Sequence, residues 1–368
     1  MKRLVYALLP IVFALSLSDS SAAHAQPRFE PRARLLTGFT STHTDTSSTH
    51  AFDVDDLELG LRFDWSEVLL LDVQLDAARS SSPESLFGIE GNSLIFVLRR
   101  AYGALALPLG PGRLELRLGL LPDPIISIVE TSTDLRVIAN ALADTGGFLP
   151  RSDLGLSLGY TTTDRRFGLT LALTNGEGAA DVERDTPKDL SLSLSFDPLI
   201  FELFDQEARL RILLAGRLGT RGVGSVDHQS ASTFMGLVHR RLHLGLEAHY
   251  ASGYADRAEV KAVGLAATTS FSPLPAFAIV GRLDWLDPDL DLARSNRTTL
   301  DVGIVLFVAR LLVDLSPDLA ALEPLVDTVR LRLGWRQTDT DPLAAPTPGL
   351  ASTGRSNAFV LGLELSSF

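Results

Sequence analysis

The chain has 368 residues and not one cysteine. Disulfide stapling, thiolate metal sites and thiol nucleophiles are excluded, so a large core or continuous strand pairing must hold the fold. Lysine is nearly absent: Lys2, Lys188 and Lys261 are the whole set. At a net charge of −12 the chain lacks the basic footprint that nucleic acid requires. Long apolar runs are missing too. "VGIVLFVARLLVDL" comes nearest to a spanning helix, but Arg310 and Asp314 interrupt it well short of the roughly 20 apolar residues needed. Gly-x-Ser-x-Gly, His-Glu-x-x-His and phosphate-loop patterns do not occur, so no catalytic residue, metal or cofactor is expected.

What is present starts with a basic head, Met1-Lys2-Arg3. An apolar stretch from Leu4 to Leu17 follows, then a small-residue site at Ala23-His24-Ala25. This tripartite pattern predicts a cleaved export signal over residues 1–25 and one exported domain over 26–368.

Beyond it, period-two alternation is everywhere. "LELGLRF" sets Leu57, Leu59, Leu61 and Phe63 against Glu58, Gly60 and Arg62. "RLELRLGL" sets four leucines against Glu115, Arg117 and Gly119, and "DLSLSLSF" sets Leu190, Leu192, Leu194 and Phe196 against three serines. Period two is the strand signature. A soluble β-sandwich would carry a richly charged solvent face. Here one face is mostly leucine and the other is Gly, Ser and Arg with scattered acids, as in a transmembrane barrel with an apolar outside and a polar inside. Closure in lipid then satisfies every backbone group without cysteine. The fold class expected is all-β: a transmembrane antiparallel β-barrel. Strands are predicted at 28–40, 51–64, 68–78, 93–107, 113–121, 153–161, 166–175, 188–196, 208–219, 232–239, 242–252, 258–269, 276–286, 298–307, 328–337 and 356–368. That makes sixteen. Short turns alternate with long connections at 41–50, 79–92, 122–152, 176–187, 220–231 and 338–355, which places the long ones outside the cell. Residues 197–207 and 308–327 fit less well, being long for periplasmic turns.

Parity assigns Glu58, Arg62, Asp72, Asp76, Glu115, Arg117, Arg209, Arg211, Arg217, Glu247, Arg330, Arg332 and Glu364 to the lumen. Arg99 and Arg100 are adjacent, so alternation points one inward and leaves the other at the interface or in a bulge. Trp65, Trp285 and Trp335 fall near strand ends, where an aromatic girdle belongs. Asp53, Asp55 and Asp56 read as a solvated rim in preference to a calcium cluster, and His43, Asp45 and His50 as a polar surface loop. His239, His243 and His249 gather around one hairpin without chelating spacing. Residues 122–152 contain Ile125, Ile126, Ile128 and Val129, more apolar surface than a loop in water needs. Their charged residues, Asp123, Glu130, Asp134, Arg136, Asp144 and Arg151, with Asp153 beyond, are the candidates for a pore constriction. Arg151 and Asp153 share parity; they either pair, tying the loop to the wall, or form a plain solvated rim.

Several stretches together resemble the phosphate-selective porin O and P family. They are "LRRAYG" at 98–103, "LRLGLLPDPIISIVETSTDLRVI" at 116–138, "RSDLGLSLG" at 151–159 and "LTNGEG" at 173–178. The similarity covers about residues 50–180. It implies a sixteen-stranded homotrimeric channel whose third loop folds into the lumen. It also implies an outer-membrane location among lipid and lipopolysaccharide. A terminal strand ending on Phe368 resembles the signal read by the barrel assembly machinery, with Ser366-Ser367 as a bulge that shifts its parity. The family's constriction lysines are missing from 122–152. The expectation is therefore a water-filled diffusion channel for small hydrophilic solutes or ions, weakly selective or cation-leaning. Its alternative is a phosphate- or anion-selective porin. Outside that class stand a rim enzyme using the first-loop histidines and a closed structural barrel.

Overall fold

A computed structural model of the protein describes residues 27–44, 47–66, 68–79, 94–133, 140–178, 187–222, 225–292, 295–315, 329–340 and 354–367. The predicted signal peptide lies outside the described residues, as do Asp45, Asp134, Arg136 and Phe368. Sixteen strands form one closed antiparallel barrel in which each pairs with its neighbours in sequence and the first pairs with the last. They are β1 Arg28–Thr44, β2 Ser48–Asp64, β3 Leu69–Arg79, β4 Leu94–Leu109, β5 Gly112–Pro122, β6 Ser152–Thr162, β7 Phe167–Thr174 and β8 Asp189–Leu203. There follow β9 Gln206–Arg221, β10 Val226–His239, β11 Leu242–Ser252, β12 Lys261–Leu274, β13 Phe277–Asp287, β14 Arg297–Phe307, β15 Val329–Thr340 and β16 Gly354–Ser367.

The alternation read from sequence is the alternation of the wall. Leu59, Leu61, Leu71, Leu116, Leu118, Leu192, Leu214, Leu246, Leu333 and Leu361 are exposed. Their neighbours of opposite parity, among them Glu58, Asp72, Arg217, Glu247, Arg332 and Glu364, are buried. No edge is left to hydrate, because Ala33↔Ser367 through Thr44↔Ser356 close the sheet. Exposed aromatics gather where the barrel ends. Phe29, Trp65, Phe201, Phe204 and Phe271 lie near the end that holds the start of β1, and Phe52 lies near the other.

Several connections differ from expectation. The 41–50 and 220–231 segments are largely strand: β1 runs to Thr44 and β2 begins at Ser48, while β9 runs to Arg221 and β10 begins at Val226. These ends are polar on both faces, so they pair without showing alternation. Residues 197–207 are no long turn. β8 passes a bulge between Phe196 and Leu199, where Pro198 cannot donate to the ladder, and then resumes. The turn to β9 is Phe204-Asp205, both at positive φ (50° and 59°), the backbone of a two-residue hairpin. At 308–327 a helix, here α3, occupies Val308–Leu315. At the last strand Ser366 and Ser367 pair in unbroken register with Arg34 and Ala33, so no bulge lies there.

Candidate functional site

Between β5 and β6 the chain forms α1 (Pro124–Thr133) and α2 (Leu142–Thr145). Asp123 starts α1. Its Oδ1 accepts hydrogen bonds from the amides of Ile125 (2.8 Å) and Ile126 (3.3 Å), and Pro124 fills the first helical position, where no amide is needed. Ile125, Ile126 and Val129 share one side of α1 and are buried with Ala141, Ala143, Phe148 and Leu149. They pack on Leu213 of β9, Phe234 of β10, Ala251 of β11 and Ala262 of β12. These wall residues alternate with the exposed Leu214, Met235, Tyr250 and Leu265, so the segment seats on the face opposite the leucine belt. Burying each large side chain contributes about 1.5–3 kcal/mol before ordering costs. The wall is shaped for it: a Cβ at Gly264 would sit 2.7 Å from the Phe148 ring, and one at Gly245 would sit 3.1 Å from Thr133.

Polar contacts fix the seat. The Glu247 carboxylate accepts from the Leu142 amide at 3.1 Å. His243 Nδ1 is 2.8 Å from the Ser132 carbonyl, and Tyr254 donates to the Gly146 carbonyl at 2.5 Å. Phe148 stacks on His249 with ring centroids 5.3 Å apart. His249 in turn meets Ser232 at 2.9 Å and Glu247 at 3.3 Å. His243 and His249 anchor this segment, a role their sequence spacing did not reveal, whereas His239 lies against Phe204 and Arg241.

Arg151 and Asp153 neither pair with each other nor form a solvated rim; each has its own partners. Arg151 bridges the two helices, to Glu130 at 2.9 Å and Asp144 at 2.8 Å. Asp153 belongs to the wall, where Arg217 holds it at 2.7 Å and Asp189 at 2.5 Å. Residues two apart on a strand share a face, but Arg151 precedes β6 and is not bound by that rule. Burial pushes the Glu130 carboxyl up to about 7, against the opposing pull of Arg151. Asp123, Glu130, Asp144 and Arg151 thus belong to one docked unit.

Across from it, β15, β16 and β1 to β4 carry a lattice of ion pairs. Arg34 donates to Glu364 at 2.9 Å and lies 3.6 Å from Asp56. Arg32 and Arg100 share Asp72 at 3.4 and 3.0 Å. Arg99 meets Asp76 at 2.7 Å. Both adjacent arginines therefore reach the inner face. The β3–β4 register slips between Gln74 and Leu75, which makes Arg99 the bulged residue. Asp56, expected at a solvated rim, belongs to this wall. The other parity-assigned charges pair locally: Arg62 with Asp64 at 3.1 Å, Arg117 with Glu115 at 2.8 Å, Arg209 with Glu207 at 2.5 Å and Arg211 with Asp197 at 2.9 Å. Arg330 lies 3.8 Å from Glu364, and Arg332 is buried on the same strand. Sequence reading missed Arg34, Asp189, Arg282, Asp301 and Arg336. Arg336 shares its strand and parity with Arg330 and Arg332, which were assigned; the others lie on strands where no charge was assigned.

Asp56, Glu58 and Asp76 bring carboxylate oxygens within 4.8 Å of one another. Arg34 and Arg99 already neutralise two of them, which weakens any claim to a cation. At the rim, His43 meets Ser48 at 2.8 Å and Ser41 at 3.1 Å. Among the described residues its hydrogen bonds join it to hydroxyls and not to the carboxylate that a triad requires.

A closed sixteen-stranded barrel with a leucine outside, a charged inside and a helical segment docked on the wall has the fold of the outer-membrane porins. No protein-family model and no curated protein matches the chain. Among solved structures it is similar to Salmonella typhi OmpF in complex with daunomycin, at TM-score 0.60 and 11% identity over 92% of this chain and 97% of that one. It is also similar to an anion-selective porin from Comamonas acidovorans, at TM-score 0.59 and 13% identity over 93% and 100%. A third is in-vitro folded OmpT of Vibrio cholerae in its trimer form, at 0.54 and 9% over 93% and 100%. At such identities the likeness is one of fold.

Proposed function

We propose that the protein is an outer-membrane diffusion channel for small hydrophilic solutes or ions. The described residues of the segment 122–152 lie in the lumen and narrow it against the arginine–carboxylate wall. The observation that carries this reading is the docking itself: an apolar, hydrogen-bonded seat on the face opposite the leucine belt, facing paired charges across the barrel. Passage is by diffusion, with the field of the charge rings setting which ions pass. The docked unit sets Glu130 and Asp144 against Arg151, in a chain of net charge −12, and this favours weak cation preference. The facing wall supports a second reading, anion or phosphate preference, because Arg32, Arg34, Arg99 and Arg100 crowd one side. The resemblance to the phosphate-selective porin O and P family points the same way.

The reading includes export through a cleaved signal, insertion by the assembly machinery through β16, and a homotrimer in the outer membrane. The long connections then face outward and the start of β1 faces the periplasm. Planar-bilayer recording of the refolded mature chain under a salt gradient tests it. Discrete steps with a cation-leaning reversal potential are expected. An anion-leaning potential blocked by phosphate selects the second reading. A folded barrel that never conducts removes both.

A further inference from the structure

The charged half of the wall is indented. Where β1 to β4 pass the level of Gly60, the inner face holds a hollow of about 350 Å³. The register makes it. Arg32 lies beside Gly60, Gly60 beside Gln74 and Gln74 beside Arg100, so one rung reads arginine, glycine, glutamine, arginine across four strands. A Cβ placed on Gly60 would find its nearest atoms, the Arg32 Cβ and the Val73 carbonyl oxygen, at 3.5 Å. A side chain would fit there and none is present. Hollows that hold small molecules run upward from about 300 Å³.

Both signs of charge line it. Arg32 and Arg100 flank the rung, three strand spacings or about 14 Å apart. Glu30 lies two residues toward the start of β1 from Arg32, and Glu58 lies two residues from Gly60 on the opposite side of the rung. The arginines are loosely held. Arg32 is 3.2 Å from Glu30 and 3.4 Å from Asp72, with its side chain 22% exposed. Arg100 is 26% exposed, and its Nε lies 3.0 Å from Asp72 without the alignment of a hydrogen bond. Pairs open to water contribute little, so a ligand group can replace one. The mixture of signs selects the occupant. Phosphate would meet the two arginines but also Glu30 and Glu58. A cation would meet the carboxylates but also the arginines. A solute with one charge of each sign meets both sets without a surplus. Arg32 and Glu58 are diagonal neighbours on adjacent strands, with Cβ atoms about 7–8 Å apart or less. The two ionic groups they grip must therefore lie close together, as the ammonium and carboxylate of an α-amino acid do.

We propose that the Gly60 hollow binds a small zwitterion, an α-amino acid with a short side chain, whose carboxylate meets Arg32 and Arg100 and whose ammonium meets Glu58 and Glu30. The site rests on the channel reading above and gives that passage a solute class. Its test is a ligand-observed NMR titration of the refolded mature chain in neutral detergent with L-alanine, beside propionate, ethylamine and phosphate. Saturable one-to-one binding of L-alanine is expected, with propionate and ethylamine each bound about tenfold more weakly for want of one ionic contact. Gly60→Leu should abolish binding by filling the hollow, with heat-modifiable migration on gels confirming that the variant folds. Glu58→Gln should weaken alanine about tenfold and strengthen propionate, a reversal that a merely loosened wall would not produce. Absence of saturation, unchanged binding in Gly60→Leu, or phosphate bound more tightly than alanine overturns the proposal. Conductance is recorded in parallel. A chain that binds alanine without conducting removes the channel reading and leaves the site standing. One that conducts without binding alanine removes the site and leaves the channel.

Discussion

The two halves of the inner wall are built on different principles. The β9–β12 half presents Leu213, Phe234, Ala251 and Ala262, with glycines at 245 and 264 making room, and it receives α1 and α2 as a core receives a helix. The half formed by β15, β16 and β1 to β4 presents Arg34, Arg99, Arg100 and Arg330, each against a carboxylate. One half is filled by apolar side chains and the other carries paired charges. A single period-two pattern encodes both, because parity chooses the face and residue size chooses whether that face is covered. In the channel proposed above, the passage borders the charged half and the apolar half sets its width.

The junction of the halves should be the most sensitive point. Arg217 holds Asp153 and Asp189 where β6, β8 and β9 meet, and all three side chains are nearly inaccessible, at 6%, 6% and 0% exposed. Arg217→Ala leaves two carboxylates without their cation. It should cost about 4 kcal/mol, read as a fall in the temperature of heat-modified migration. Phe148→Ala attacks the apolar half alone. Losing the ring stacked on His249 should cost about 3 kcal/mol of docking and raise single-channel conductance while the barrel stays folded. Gly264→Leu should do the same from the wall side, since its Cβ would press on that ring. Unchanged conductance in both variants would mean that the docked segment does not set the width. Arg34→Gln attacks the charged half. Glu364 keeps Arg330 at 3.8 Å, so the cost should be nearer 2 kcal/mol, and the reversal potential should move toward cations. No shift would place the passage elsewhere.

The barrel was legible because its physics is local. Leu57, Leu59 and Leu61 alternate whatever surrounds them, and lipid demands closure. Strand ends above the membrane were not legible: around His43 and Ser48 both faces meet water and the pattern dissolves. The β8 extension hid behind Pro198, where a bulge absorbs a residue that breaks the ladder. Of the site, the apolar content of 122–152 announced docking, and Glu130, Asp144 and Arg151 proved to be partners. What Arg151 pairs with depended on where α2 folds back, a tertiary fact that parity could not supply. The roles of His243, His249 and Glu247 were hidden for the same reason, since their partners are over a hundred residues away in the docked segment.

The finest difference between the halves is one of protonation. Burial pushes Glu130 up to about 7, from an ordinary 4.5. Between those values the folded chain holds a proton that the unfolded chain has released, so this group's contribution to stability falls as pH rises through the window. It is fully present below about 4.5 and lost above about 7. The same proton changes the passage. Above pH 7, Glu130 and Asp144 against Arg151 leave one net negative charge on that cluster; below it, protonation of Glu130 leaves none. Lowering the pH from 8 to 6 should move the reversal potential toward anions by about the amount one charge supplies, opposite in direction to the step that Arg34→Gln causes. Glu130→Gln should fix the channel in its low-pH selectivity and flatten the profile. A step that persists in that variant would assign the titration to a wall carboxylate and detach the docked unit from selectivity.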